Sequence, residues 1–172
     1  MGIKILINIK YYRRLFSIKR GLDDFLLEKE SARVKSMPIL NSMVDSMALS
    51  DSLDEMLENK AETFSSMLLR LIDEKALKDS VVYKKANIDR RLFSKIRGDE
   101  DYVPSKKTAI SFCIALELDL DESKELLNSA GYSLSEASKL DLIMSYLINK
   151  KEYDIRFVNI VLDEYGVGTL SR

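Results

Sequence analysis

The chain has 172 residues, of which 46% are hydrophobic and 32% charged, and its formal net charge is −1. Its six glycines and two prolines are few for this length, which favours an all-α fold over a β architecture with many turns. The net charge argues against a surface that is basic throughout, and the one cysteine excludes an internal disulfide, which suits a cytoplasmic protein.

Residues 1–60 predict a basic amphipathic extension followed by a linker. Ile3–Ile9 is too short for its periodicity to distinguish a strand from the start of a helix. Tyr11–Leu27 has apolar residues at helical spacing with basic residues between them, and we expect a helix that is broken or bent at Gly21. We expect it to pack on the protein and not on a membrane. Residues 31–50, which contain a proline and three methionines, predict a loosely structured linker with room for one helical piece.

The remaining residues predict a domain over 61–132 and a C-terminal helix pair over 133–172. Each predicted helix has a polar residue that can cap its first turn or a glycine that can end it. The predicted helices run from the capping box Ser52–Glu55 to about Lys75, in one piece or two; from Asp79 through Ala86; from Asp89 through Arg97, ended by Gly98; from Pro104-Ser105 to about Leu116; from Asp121 to near Gly131; from the capping box Ser133–Glu136 to about Asn149; and from Ile155 to Tyr165, ended by Gly166.

Val82–Gly98 is the segment most informative about function. Its two short predicted helices meet at Asn87, a residue type that tolerates the left-handed backbone of a tight turn. Ile88, Phe93 and Ile96 are spaced to hold the second helix on a core. Arginine can donate two hydrogen bonds to a guanine edge, and lysine or serine can reach phosphates. The residues left pointing outward have this chemistry: Arg90, Arg91, Ser94, Lys95 and Arg97.

Over Phe64–Tyr132 this order of elements resembles the lambda-repressor-like helix-turn-helix family. The matching features are the two-helix unit, its Ile-Asp turn, the Ile96–Gly98 exit, Pro104-Ser105 opening the next helix, and Ala115–Glu122 before the fifth. The resemblance implies that the helix from Asp89 is a recognition helix. It places Arg90, Arg91, Ser94 and Lys95 in the groove of double-stranded DNA, and Lys84, Lys85, Lys106 and Lys107 on its phosphates.

Two features depart from that family. The recognition helix exits one residue early, and three acids that would repel phosphates, Asp99-Glu100-Asp101, follow it. Residues 62–172 are also similar to a C-terminal helical module appended to bacterial proteins, including ADP-ribose-binding macro-domain proteins. This second resemblance implies an accessory or recruitment role and leaves residues 1–60 without a counterpart.

Basic residues are concentrated in two segments of the chain. Residues 1–22, the first basic segment, contain six basic residues and no acid. Residues 83–107, the second basic segment, contain eight basic and four acidic residues, and the rest of the chain is acidic. This asymmetry favours a localised anionic partner, although a dipolar solvated surface is an alternative.

Catalysis has little support in the sequence. Histidine is absent, which removes the commonest general base, and Cys113 lies in an apolar stretch typical of a core helix. We therefore expect a non-enzymatic protein without cofactor or metal. The first hypothesis is a homodimeric DNA-binding transcriptional regulator, paired through its N-terminal extension or its last two helices. The alternative is a protein–protein adaptor that uses the same fold without binding DNA.

Overall fold

The computed structural model describes the backbone of residues 2–35 and 62–170, and the side chains of 11–33 and 62–170. These residues form eight α-helices and no strand, so the predicted all-α class is confirmed. Within them, no helix has both the length and the apolar character needed to cross a bilayer. The helices are α1 (Gly2–Lys35), α2 (Phe64–Glu74), α3 (Asp79–Lys85), α4 (Arg90–Gly98), α5 (Lys106–Ala115), α6 (Leu120–Ser129), α7 (Lys139–Asn149) and α8 (Ile155–Glu164).

Helix α1 is longer and more continuous than the sequence suggests. It begins at Gly2, so the ambiguous first residues are helical, and residues 31–35 belong to the helix and not to a linker. The expected break at Gly21 is wrong. A Cβ atom at Gly21 would overlap the hydroxyl of Tyr146, so this glycine permits a close contact with α7 and does not interrupt the helix. The rest of the predicted linker lies outside the described residues.

Helix α1 docks on the C-terminal helices through its inner face. Leu22 is fully buried in the same core cluster as Phe112 of α5 and Phe157 of α8. Arg14 donates from Nε to Glu152 Oε2 at 2.8 Å and lies 4.5 Å from the centroid of the Phe157 ring. Its second guanidinium nitrogen, Nη2, donates to the other Glu152 oxygen. The described part of helix α1 is therefore packed on the rest of the structure.

Three of the predicted helix starts are confirmed. Asp89 caps α4 by accepting from Arg91 N at 2.7 Å, and Ser105 caps α5 by accepting from Thr108 N at 3.2 Å. The last helix is Ile155–Glu164, close to its predicted bounds. Helix α2 ends where expected but starts at Phe64, with Thr63 as its cap. The capping box Ser52–Glu55 lies outside the described residues.

Three other predicted starts are wrong. Lys78, and not Asp79, is the N-cap of α3, and Asp79 is the first helical residue. Asp119 caps α6 in place of Asp121, since it forms a reciprocal capping box with Glu122. The predicted box Ser133–Glu136 opens no helix, because α7 begins six residues later, capped by Ser138.

Helix α5 is the centre of the core. Every residue from Ala109 to Ala115 is buried, so the helix is enclosed on all sides. The ring of Phe112 lies 6.1 Å from that of Phe64 on α2 and 6.1 Å from that of Phe93 on α4. This aromatic contact fixes α4 to the centre of the molecule by one of its faces and leaves the other outside.

Candidate nucleic-acid interface

Helices α3 and α4 are joined by the tight turn that the sequence predicts. Asn87 has a φ of 53°, in the left-handed region that asparagine tolerates. Ile88 N donates to Tyr83 O at 2.8 Å and closes the turn over the end of α3. Asp89 then caps α4. Local hydrogen bonds therefore set the relative direction of the two helices.

The inner face of α4 is apolar and buried. Phe93 and Ile96 are buried, and Ile88 is half-buried beside them, as expected from their spacing. The ring of Phe93 packs between Tyr83 of α3, at 5.7 Å, and Phe112 of α5, at 6.1 Å. The orientation of α4 about its own axis is therefore set by packing, which determines the side chains that face solvent.

The outer face of α4 presents unpaired positive charge in its first turn. Arg90 and Arg91 are exposed, as is Ser94 one turn further on. Lys84, near the end of α3, is also exposed. None of these four side chains makes a hydrogen bond or ion pair with any residue in the described ranges. We call the surface formed by Lys84, Arg90, Arg91 and Ser94 the free basic surface.

The other three predicted contacts on α3 and α4 are exposed but engaged. Lys85 Nζ lies 2.6 Å from Glu117 Oε1, and Arg97 pairs with Asp79 at the start of α3. Lys95 lies 4.5 Å from the centroid of the Tyr102 ring. Exposed ion pairs of this kind contribute at most about 1 kcal/mol. These side chains can therefore exchange their present partners for a stronger anion.

Lys106 and Lys107 have structural partners instead. Lys106 Nζ lies 2.5 Å from Oδ2 of Asp141, whose side chain is 1% exposed. Lys107 Nζ donates to the carbonyl oxygen of Thr169 at 2.9 Å and to that of Gly168 at 3.4 Å. Both lysines are half-buried. They connect α5 to the C-terminal part of the chain, and reaching a phosphate would break these contacts.

The charge on α4 is polarised from one end to the other. Its first turn holds two arginines and no acid, although the helix dipole disfavours cations at that end. The acids Asp99, Glu100 and Asp101 follow its last turn and are exposed. The rise of the helix separates Asp99 from Arg90 and Arg91 by roughly 12–13 Å along the axis, which exceeds the Debye length of about 8 Å at physiological salt. The acids therefore weaken the field at Arg90 and Arg91 only slightly.

Cys113 is a core residue, as predicted. It is fully buried, and burial raises the pKa of its thiol to about 12. A thiol with that pKa forms almost no thiolate at neutral pH and is not activated for nucleophilic attack. Within residues 11–33 and 62–170, no three histidine, cysteine or acidic side chains are grouped so that they could hold a metal ion.

Comparison of the chain with protein-family models, with curated proteins and with solved structures gives no significant match. A functional assignment therefore depends on the geometry of the free basic surface and on the residues around it. The sequence predicts the position of this surface, because the turn, the cap and the helix that form it are determined by residues close together in the chain. It does not separate the available cations from Lys106 and Lys107, whose partners lie 35 and about 60 residues away.

Proposed function

We propose that this protein is a non-enzymatic, sequence-selective DNA-binding protein with a lambda-repressor-like helix-turn-helix domain over residues 61–132. It would act in the cytoplasm as a transcriptional regulator. The observation that carries the proposal is the pair Arg90 and Arg91. Both are exposed and unpaired among the described residues, at the start of a short helix whose opposite face is fixed to the core.

In this proposal α4 is the recognition helix and enters the major groove by its first turn. Helix-turn-helix proteins contact base edges with the N-terminal residues of that helix. Arg90 and Arg91 would donate to guanine O6 and N7, and Ser94 would follow one turn later. Lys84 and Lys85, at the end of α3, would contact the phosphates on one side of the groove.

The local chemistry of α4 supports a role for an anionic ligand. Two arginines in a first turn oppose the helix dipole by about 0.3–1 kcal/mol each. Helix α6 instead has Asp121 and Glu122 in its first turn, where they favour the dipole, and α5, which also begins with two cations, pairs both of them with the C-terminal part of the chain. Violations of such local rules are expected at functional sites. Phosphates near the start of α4 would relieve this unfavourable arrangement.

We further propose that the protein binds DNA as a homodimer. One short helix reads only a few base pairs, so proteins of this class pair two recognition helices on half-sites about one helical turn apart. Pairing also multiplies the number of phosphates contacted, which raises affinity and its dependence on salt.

Fluorescence anisotropy on a mixed pool of duplex DNA, titrated from low to physiological salt, tests the proposal. We expect binding whose log–log salt dependence steepens by roughly 0.9 for each phosphate neutralised. The double substitution Arg90→Ala/Arg91→Ala should weaken binding at least about tenfold, since each such contact contributes about 1–3 kcal/mol. The matched control is Lys124→Ala/Arg156→Ala, which removes two exposed cations on α6 and α8 and should leave affinity unchanged.

Two outcomes would overturn the proposal: no binding at low salt, or an equal loss of affinity in both double variants. The alternative function is an adaptor whose basic surface docks an acidic protein. The exposed acids after α4 and the neighbouring Val103, which is 58% exposed, favour this alternative because they suit a protein surface better than a phosphate backbone. An adaptor would lose capture of its partner on Arg90→Ala/Arg91→Ala and show no retention on DNA in either form.

A further inference from the structure

Helix α1 has an outer face that the rest of the described chain leaves uncovered. Its inner face buries Leu22 and packs Leu15 and Phe25 against the core. On the other side Tyr12 is 61% exposed, Phe16 71% and Leu27 63%. At about 100° per residue these three side chains fall within roughly 60° of arc. Large apolar side chains at such exposure, grouped on one helix face, are typical of an interaction surface.

The charges on this face change sign along the helix. Arg13 and Arg20 lie in its first part and are exposed, and Asp24 and Glu28 lie in its second part and are also exposed. None of the four makes a hydrogen bond or ion pair with another described residue. By contrast, Arg14 and Lys19 point inward and are paired with Glu152 and Glu164. The outer face of α1 is thus apolar, basic at one end and acidic at the other.

We propose that the outer face of α1 binds the same face of a second copy of this chain, with the two helices antiparallel about a two-fold axis. A two-fold interface needs a self-complementary surface. With the axis near Gly21 and Leu22, Phe16 lies against Leu27 of the second copy, and Arg20 lies beside Asp24 of the second copy. Arg13 lies near Glu28 of the second copy, and each of these contacts occurs twice.

The same charges disfavour the other arrangements. A parallel pair would place Arg13 and Arg20 against their own copies, which costs free energy through like-charge repulsion. An anionic membrane would attract Arg13 and Arg20 but repel Asp24 and Glu28. The proposal specifies the surface that joins the homodimer of the proposed function. It does not depend on DNA binding, because association is measured without DNA.

Sedimentation equilibrium on the full chain tests the association. We expect a dimer at micromolar concentration and, for Phe16→Glu, a dissociation constant at least tenfold higher. Phe16 is exposed, so circular dichroism and thermal unfolding of this variant should show the native helix content. Arg20→Glu should also weaken the dimer, and Arg20→Glu/Asp24→Arg should restore it, because the two charges exchange places across the axis.

Cross-linking tests the direction of the helices. Phe16→Cys and Leu27→Cys are prepared separately and treated with a short bismaleimide, and the buried Cys113 does not react. We expect the mixed sample to cross-link far better than either variant alone, since positions 16 and 27 face each other only in the antiparallel pair. A monomer at all concentrations would overturn the proposal, as would self-cross-linking of Phe16→Cys that exceeds the mixture.

Discussion

The two basic segments are similar in composition but differ in how their charges are used. In the first, Arg14 and Lys19 are paired with Glu152 and Glu164 and hold α1 on the C-terminal part of the chain, while Arg13 and Arg20 face outward. In the second, Arg90 and Arg91 have no such partner among the described residues and point to solvent. A cation is structural where another element places an acid opposite it, and it is available to a ligand where none does.

The second basic segment itself contains both structural cations and cations available to a ligand. Lys106 faces the buried Asp141, as Arg14 faces the buried Glu152. Lys84, near the end of α3, faces solvent. The distribution of charge along the sequence therefore identifies a basic region, but the folded arrangement decides which of its members can reach an anion. Substituting individual cations and measuring both stability and DNA affinity tests this division.

The largest effect is expected for Lys106→Ala. This substitution leaves the carboxylate of Asp141, which is 1% exposed, with Ser135 N as its only remaining partner on Oδ2 among the described residues. Breaking a buried ion pair from one side costs about 3 kcal/mol. We expect the free energy of unfolding in urea to fall by about this amount, with the salt dependence of DNA binding unchanged.

The double substitution Lys106→Ala/Asp141→Asn is the control for Lys106→Ala, since it removes the unpaired charge. It should recover much of the lost stability. If the Lys106→Ala variant instead kept its stability, and the log–log slope of its DNA affinity against salt fell by about one unit, Lys106 would be one of the phosphate contacts that the sequence predicts.

A smaller effect is expected for Arg14→Ala. Glu152 is 5% exposed and loses both hydrogen bonds to the guanidinium, and the Phe157 ring loses its cation. Because the Arg14 side chain is 45% exposed, solvent moderates the loss, and we expect about 2 kcal/mol in urea unfolding. Arg33→Ala removes from the same helix an exposed arginine that has no partner among the described residues. Equal stability of the two variants would show that the first basic segment is not structural.

Local signals explain which parts of this molecule the sequence predicts. The sequence predicts the turn between α3 and α4, the cap Asp89 of α4 and the buried face of α4, because neighbouring residues determine them. Asp119, and not the predicted Asp121, caps α6, and Glu122 three residues later completes a capping box that is visible in the sequence. Asp121, two residues away, is an equally good cap by residue type, and only the box separates them.

Contacts between residues far apart in the chain explain the features that the sequence does not predict. Arg14 and Glu152 are 138 residues apart, and Lys106 and Asp141 are 35 apart. No spacing rule connects such pairs, so the sequence alone does not distinguish these paired cations from cations that are available to a ligand. The role of Gly21 is hidden in the sequence for the same reason: the Tyr146 hydroxyl that a Cβ atom at this position would overlap lies on another helix.

The smallest effect separates Lys84 from Lys85. Lys84→Ala removes a cation that has no partner in the part of the chain that the structure describes. It should lower the slope of the salt dependence by roughly 0.9, with a loss of affinity of a few fold. Lys85→Ala should cost less, because Lys85 must leave Glu117 before it reaches a phosphate. The converse substitution is Glu117→Gln, which frees Lys85, removes a nearby acid and should tighten binding at low salt. Anisotropy titrations of the three variants measure these differences, and weaker binding by Glu117→Gln would place the phosphates away from the end of α3.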